Sequence, residues 1–308
     1  MGGSGSGHSP WTKVKPTELI SELRTAEVRE VDARYVSSVN DLLAGILADA
    51  NNRPVDAINV HLDEIGKALE KEIAGTIELR FGGSVAKRTY VAGISDVDAL
   101  VIVNESGLAR KEPRLVVQYI VDRLKEQFGG TEITTDGFAV NLLFSDAHIQ
   151  LVPVRQNKSV LYIPDSNMRR WIKTYPREFT DRLQQVNSAC SGRVVPVIKL
   201  AKAIMFARMG DERLSGFHTE SLAVESFNEY KGDVTYRGML QHFFTEAARR
   251  VLTPTSDPTG QTESADASLG PAGSTARMIR ADKLDRIARK LRNADADGSI
   301  EAWEDLFD

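Results

Sequence analysis

Residues 82–103 read GGSVAKRTYVAGISDVDALVIV. Gly82, Gly83 and Ser84 make a turn, and Asp96 and Asp98 follow as an Asp-x-Asp pair running into the apolar, β-branched stretch 99–103. Side chains two apart on a strand share a face, so the two carboxylates can converge on one point. Adjacent like charges repel, and one would take up a proton unless a cation sits between them. Hard Mg2+ ions take carboxylate oxygens and keep water or substrate phosphates as remaining ligands. The glycines let an anion approach the backbone closely. Ser84 adds a hydroxyl and an N–H where a short helix starts, and that helix brings Lys87 and Arg88 nearby. A phosphate cradle and a metal dyad on consecutive elements are the parts needed for nucleotidyl transfer from a nucleoside triphosphate. Alone, each half reads more readily as a Gly-rich turn or a solvent-facing pair of acids. Their order, in a strand–turn–helix–strand context, favours a site.

Outward from this stretch the period of the apolar residues changes twice. Residues 17–80 are mostly helical in pattern, with apolar positions returning every three to four residues. TIELRFGGS then alternates like a strand ending in a turn, and DVDALVIV is a second strand. LVVQYIVDRLKEQF returns to a helix closed by Gly129 and Gly130, and EITTDGFAVNLLFSDAHIQLVPV reads as two or three strands. After Pro176 the pattern is almost purely helical, with Pro196 near the start of the apolar helix RVVPVIKLAKAIMFARM. Residues 253–275, rich in Pro, Gly, Ser and Thr, read as a long, mobile loop. The expected organisation is a linker or tail at 1–16, a catalytic-type α+β unit with N-terminal helices at 17–175, and a helical unit at 176–308.

Composition bounds the partners. The chain has 308 residues, 42% hydrophobic and 27% charged, with a net charge of −4, so no global field recruits long nucleic acid. The single cysteine, Cys190, excludes an internal disulfide and a Cys-rich zinc site, and the five histidines show no metal-ligand spacing. No window approaches a membrane span and no signal peptide is visible, so the expectation is a cytoplasmic protein with no membrane partner. The basic segment 277–292 reads better as a solvated face than as a nucleic-acid surface, because Asp282 and Asp285 interrupt it and no aromatics interleave. Trp171 and Tyr162 could stack on a base or pack in a core. His148, His218 and Cys190 read as structural.

The stretch at 82–103 resembles the Gly-Ser…Asp-x-Asp signature of the DNA polymerase β-like nucleotidyltransferase superfamily. With Lys87, Thr89 and SDVD in place, it is similar to the bacterial cGAS/DncV-like nucleotidyltransferases (CD-NTases), relatives of cyclic GMP–AMP synthase and oligoadenylate synthetase. VLYIPDSNMRRWIKTYPREFTDRLQQVN, VVPVIKLAKAIM, TESLAVESF, the DPTG loop and AWEDLF extend the likeness over residues 17–308. The resemblance implies a polymerase β-like core plus a C-terminal all-helical domain of oligoadenylate-synthetase type. It implies a second-messenger synthase of antiphage (CBASS-type) signalling, using nucleoside triphosphates and Mg2+ or Mn2+, with protein regulators or effectors of the same defence system. Gly83 and Ser84 then fall to the triphosphate and Asp96 and Asp98 to the metal. Lys199, in the "IK" helix, falls to the triphosphate ahead of Lys202 and Ser215.

The third carboxylate is where the chain departs from that pattern. The family's Asp, three residues before a proline, is matched in HIQLVPV by Gln150. An amide is a poor metal ligand and a poor acceptor for the proton of an attacking hydroxyl. Gln150 could be a substitution that traps substrates, or the mark of an altered enzyme that binds nucleotide with weak turnover. In a shifted register Asp146 could serve instead. Transfer of a single nucleotide to RNA, a protein or a small molecule is the other enzymatic alternative.

Overall fold

The computed structural model describes residues 16–51, 55–70, 78–91, 94–95, 97–103, 107–158, 160–165, 167–256 and 264–308. Asp96, and the DPTG part of the 253–275 loop, lie outside the described residues.

Two long helices, α1 (Pro16–Ala50) and α2 (Val55–Glu70), precede strand β1 (Glu78–Phe81), the one-turn helix α3 (Gly83–Ala86) and strand β2 (Val97–Ile102). Helix α4 (Pro113–Gln127) carries the chain to β3 (Glu132–Asp136), β4 (Ala139–Leu143) and β5 (His148–Asn157). The strands lie in the order β1-β2-β5-β4-β3, with β2 and β5 parallel and the other pairs antiparallel. Alternation sorts the side chains of β2: Val97, Ala99 and Val101 go under the sheet and Asp98 goes to the other face. Ile58, Ile65 and Leu69 of α2 return every three to four residues to one stripe. With Val116, Ile120 and Leu124 of α4 they cover that apolar face. The opposite face is left for Asp98, Gln150 and Asn141, which are lateral neighbours across three strands.

The far end of β5 turns into two strands that the sequence pattern leaves as a linking segment. β6 (Val160–Pro164) pairs with β5, and β7 (Trp171–Thr174) pairs with β6. From Pro176 the chain is helical: α5 (Pro176–Ala189), α6 (Val194–Met209), α7 (Gly216–Phe227), α8 (Tyr236–Arg250), α9 (Thr275–Ala296) and α10 (Glu301–Glu304). Pro113 and Pro176 open their helices where a missing N–H costs nothing. Ser215, Thr235 and Ser274 cap α7, α8 and α9 by accepting from the backbone N–H three residues on. Helix α6 is apolar nearly all round because helices surround it, as its ten buried residues show. Helix α1, grouped by sequence with the sheet, instead places Val39, Leu43 and Leu47 in this helical core. Tyr35 Oη donates to Ala294 O at 3.0 Å and accepts from Trp303 Nε1 at 3.0 Å.

The described part of the 253–275 segment is tied down. Arg277 is fully buried and donates to Gly270 O at 2.9 Å, to Val251 O at 3.0 Å and to Asp266 Oδ2 at 2.5 Å. His218 Nε2 lies 3.3 Å from the same carboxylate oxygen. Burial alone would raise the Asp266 carboxyl, but the Arg277 and Ser264 hydrogen bonds override it and hold it below its usual range. Burial pushes His218 down to about 4, against the pull of Asp266. A histidine kept neutral in this way takes no proton in the folded state until about pH 4, whereas the unfolded chain protonates it near 6.5. The unfolded state binds more protons in between, so stability rises with pH across that window and levels off above it. Going from pH 7.5 to 5.0 is expected to cost about 2 kcal/mol. Urea midpoints at the two pH values check this, with His218→Asn expected to flatten the difference.

Of the other residues weighed in the basic segment, Arg280 pairs with Glu212, Arg286 with Asp282 and Arg289 with Asp285. That is the arrangement of a solvated helix with one buried anchor.

Candidate active site

The Gly-Ser turn is stitched to the strand beside it. Gly82 N–H donates to Asp98 O at 2.9 Å. Ser84 N–H donates to Asp98 Oδ2 at 2.9 Å, and the Ser84 hydroxyl lies 3.4 Å from the same atom. Gly83 adopts φ +42°, and a Cβ there would lie 1.8 Å from Asp98 Oδ2. Only glycine permits this approach: the conformation is left-handed, and the space a methyl group would occupy is taken by the carboxylate. The four-residue helix α3 then begins, and Gly83, Ser84 and Asp98 line one cleft.

That cleft has a volume of about 570 Å³ and is closed on its far side by α6 and α7. The structure brings Gly83, Ser84, Asp98 and Gln150 to its walls, and adds Lys202 and Ser215. Asp98 and Gln150 are directly paired residues of the parallel strands β2 and β5. Gln150 Nε2 donates to Asn141 Oδ1 at 3.0 Å, an amide–amide pair at the position expected to hold a third carboxylate. The shifted register is overturned: Asp146 sits in the turn before β5 and pairs with His61 Nε2 at 2.8 Å, outside the cleft lining. That bond draws its carboxyl below the usual range.

Lys199 is not brought to the cleft. It is buried on the side of α6 that meets α1, where its Nζ donates to Asn51 Oδ1. Lys202, three residues on, is the lysine of this helix that lines the cleft. Trp171 and Tyr162 lie elsewhere, the first donating to Lys111 O at 3.1 Å and the second under Arg155.

The sequence gives no hint of the cluster behind the turn. Glu220 of α7 is 1% exposed, and its carboxylate pairs with Lys87 from the end of α3 and with Lys202 Nζ at 2.9 Å. It also accepts from the Thr89 hydroxyl, and Lys202 donates to Thr89 O at 3.0 Å. Burial alone would raise the Glu220 carboxyl, but Lys87 and Lys202 more than offset it, and the acid is ionised. Lys87 Nζ is 5.1 Å from the ring centre of Phe179 and 5.4 Å from that of Phe217. Arg213 and Asp136 complete the charged lining. Glu220 in TESLAVESF has no local signature, because Thr89 and Lys202 lie 131 and 18 residues away.

Comparison with known proteins places this geometry. The family model for the Second Messenger Oligonucleotide or Dinucleotide Synthetase (SMODS) domain matches residues 37–187, from α1 into α5. A curated cyclic AMP-AMP-AMP synthase of Acinetobacter sp. (strain ATCC 27244 / 9458) is 26% identical over 202 residues, covering 64% of this chain and 56% of that protein. The match thus spans a little over half of that relative's length. Among solved structures, the E. coli MS115-1 CdnC:HORMA-deltaN complex has a TM-score of 0.61 at 18% identity, covering 87% of this chain and 96% of that one. Vibrio cholerae DncV cyclic AMP-GMP synthase, in complex with the linear intermediate 5' pppA(3',5')pG, has a TM-score of 0.59 at 14% identity, covering 92% and 86%. The α+β architecture with its closing helices is the one these structures share.

Proposed function

We propose that the chain, which matches the SMODS domain model and resembles a cyclic AMP-AMP-AMP synthase, is a bacterial cGAS/DncV-like nucleotidyltransferase that joins nucleoside triphosphates into a short oligonucleotide, cyclic or linear, that acts as a signal in antiphage defence. One observation carries the reading. Ser84 and Gly83 are locked against Asp98 in a cleft that also presents Lys87 and Lys202. A volume of about 570 Å³ lies within the roughly 300–1,000 Å³ of small-molecule sites.

Each residue has a role in this reading. The Gly83 and Ser84 backbone and the Ser84 hydroxyl hold the triphosphate, and Lys87 and Lys202 neutralise it. Asp98, joined by Asp96 from outside the described residues, would hold Mg2+ or Mn2+, which when bound would polarise the phosphate and neutralise charge on the leaving pyrophosphate. The donor set fits one ion whose remaining ligands are phosphate oxygens and water. Position 150 offers a second ion an amide in place of a carboxylate. Gln150 itself cannot take the proton of a ribose hydroxyl attacking beside it.

The Gln150–Asn141 pair therefore supports a second reading, a nucleotide-binding form with slow turnover. HORMA-type protein regulators, as in the CdnC complex, are the partner class to look for. The test is to incubate the protein and its Gln150→Asp variant with labelled nucleoside triphosphates and Mg2+ and to resolve the products. Oligonucleotides from the protein as it stands remove the binding-only reading. No product from either form, with nucleotide binding intact, removes the synthase reading.

A further inference from the structure

The cluster behind the Gly-Ser turn gathers two cations and one anion from three elements. Lys87 follows α3, Lys202 lies on α6 and Glu220 on α7, with side chains 12%, 6% and 1% exposed. Two lysines so placed carry one positive charge more than Glu220 cancels. Both line the cleft in which the triphosphate is placed above. Neither depends on Glu220 alone for its position. Lys202 also donates to Thr89 O at 3.0 Å, and Lys87 lies against the rings of Phe179 and Phe217. What Glu220 alone supplies is negative charge in a site with little access to water.

We propose that Glu220 is an internal counter-anion: it neutralises Lys87 and Lys202 while the cleft is empty and competes with the incoming triphosphate for them. The proposal rests on the nucleotide reading and deepens it by naming what sets the affinity. A buried cation stripped of its partner is costly. Without Glu220 that cost falls on the empty protein and is relieved in the loaded one, where phosphate oxygens take the carboxylate's place. Any change that destabilises the empty state more than the loaded state tightens binding by the difference. A group that merely braces the fold would do the reverse, because its loss would loosen the site and weaken binding.

The experiment is isothermal titration of the full chain and of Glu220→Gln with ATP, GTP and inorganic tripolyphosphate, alongside melting curves with and without each. Glu220→Gln is expected to melt lower when empty and to gain more from each ligand. It is also expected to bind them about tenfold more tightly, with a steeper loss of affinity as salt rises. Lys87→Gln is expected to bind more weakly than the unaltered protein. Should Glu220→Gln alone fail to fold, the comparison moves to the Lys87→Gln background, which leaves one buried cation. There the double variant is expected to bind tighter than Lys87→Gln alone. If the unaltered chain binds while removal of the Glu220 charge leaves affinity equal or weaker, the counter-anion role is overturned by itself. If the unaltered chain binds none of the three, the nucleotide site and this role fall together.

Discussion

Gln150→Asp is expected to raise the rate of oligonucleotide formation about 100-fold in the presence of Mg2+, the low end of what one positioned acid–base group contributes. Nucleotide affinity is expected to change little. Position 150 pairs directly with Asp98 across parallel strands, and neighbouring strands run about 4.8 Å apart. An aspartate there would place a second carboxylate beside Asp98 on the open face of the sheet. The Asn141 amide, which now accepts from Gln150 Nε2, can turn to donate to it. Two carboxylates at that spacing repel without a cation. The variant should therefore melt below the unaltered protein in EDTA and gain more from added Mg2+. Initial rates with labelled triphosphates, and melting curves with and without Mg2+, check both halves. A variant whose rate and Mg2+ response match the unaltered chain would show that the third carboxylate is not what limits it.

Gly83→Ala is expected to weaken nucleotide binding about 100-fold and to destabilise the fold by about 1–2 kcal/mol through the left-handed backbone alone. The new methyl group would lie 1.8 Å from Asp98 Oδ2, so the turn and the carboxylate cannot both keep their places. If the turn moves, the Ser84 N–H leaves the phosphate position; if Asp98 moves, the metal position is lost. Gly82→Ala is the control. Gly82 has an extended backbone, and its added methyl would meet only the end of the Leu100 side chain, at 3.0 Å. Titration with ATP and Mg2+ should separate the two neighbours by more than tenfold. Equal losses would mean that the turn matters as a loop and not as a fitted partner of Asp98.

The contrast between these glycines shows what could be read in advance. Gly-Gly-Ser and Asp-x-Asp are local patterns, and strand alternation alone puts Asp98 on the face opposite Val97 and Ala99. Gln150 was equally accessible, because the apolar alternation of HIQLVPV fixes its parity. Lys199 and Lys202 were not separable in that way. They lie three apart on a helix that is apolar nearly all round, with no polar stripe to say which side faces a cleft. Only the packing of α6 between α1 and α7 decides it, sending one lysine to Asn51 and the other to Glu220. Glu220 itself, and the buried Arg277 within a basic helix, owe their roles wholly to residues distant in sequence. The short strands β6 and β7 escaped for a similar reason: a Pro, a loop and two four- to five-residue runs pair only because β5 extends far enough to template them.

The placing of α1 has a consequence for how the protein is made. Val39, Leu43 and Leu47 leave the ribosome well over a hundred residues before α6 and α8, with which α1 packs. Trp303, which donates to Tyr35, follows it by 268 residues. At roughly 5–20 residues per second, this helix waits on the order of 13–54 seconds with its apolar stripe uncovered. The sheet can assemble in that interval, because its strands and the helices beneath them come from one contiguous stretch. The helical layer cannot close until Trp303 has emerged. A nascent chain of this protein therefore carries an exposed apolar helix throughout that interval, where a chaperone or a second nascent chain can reach it.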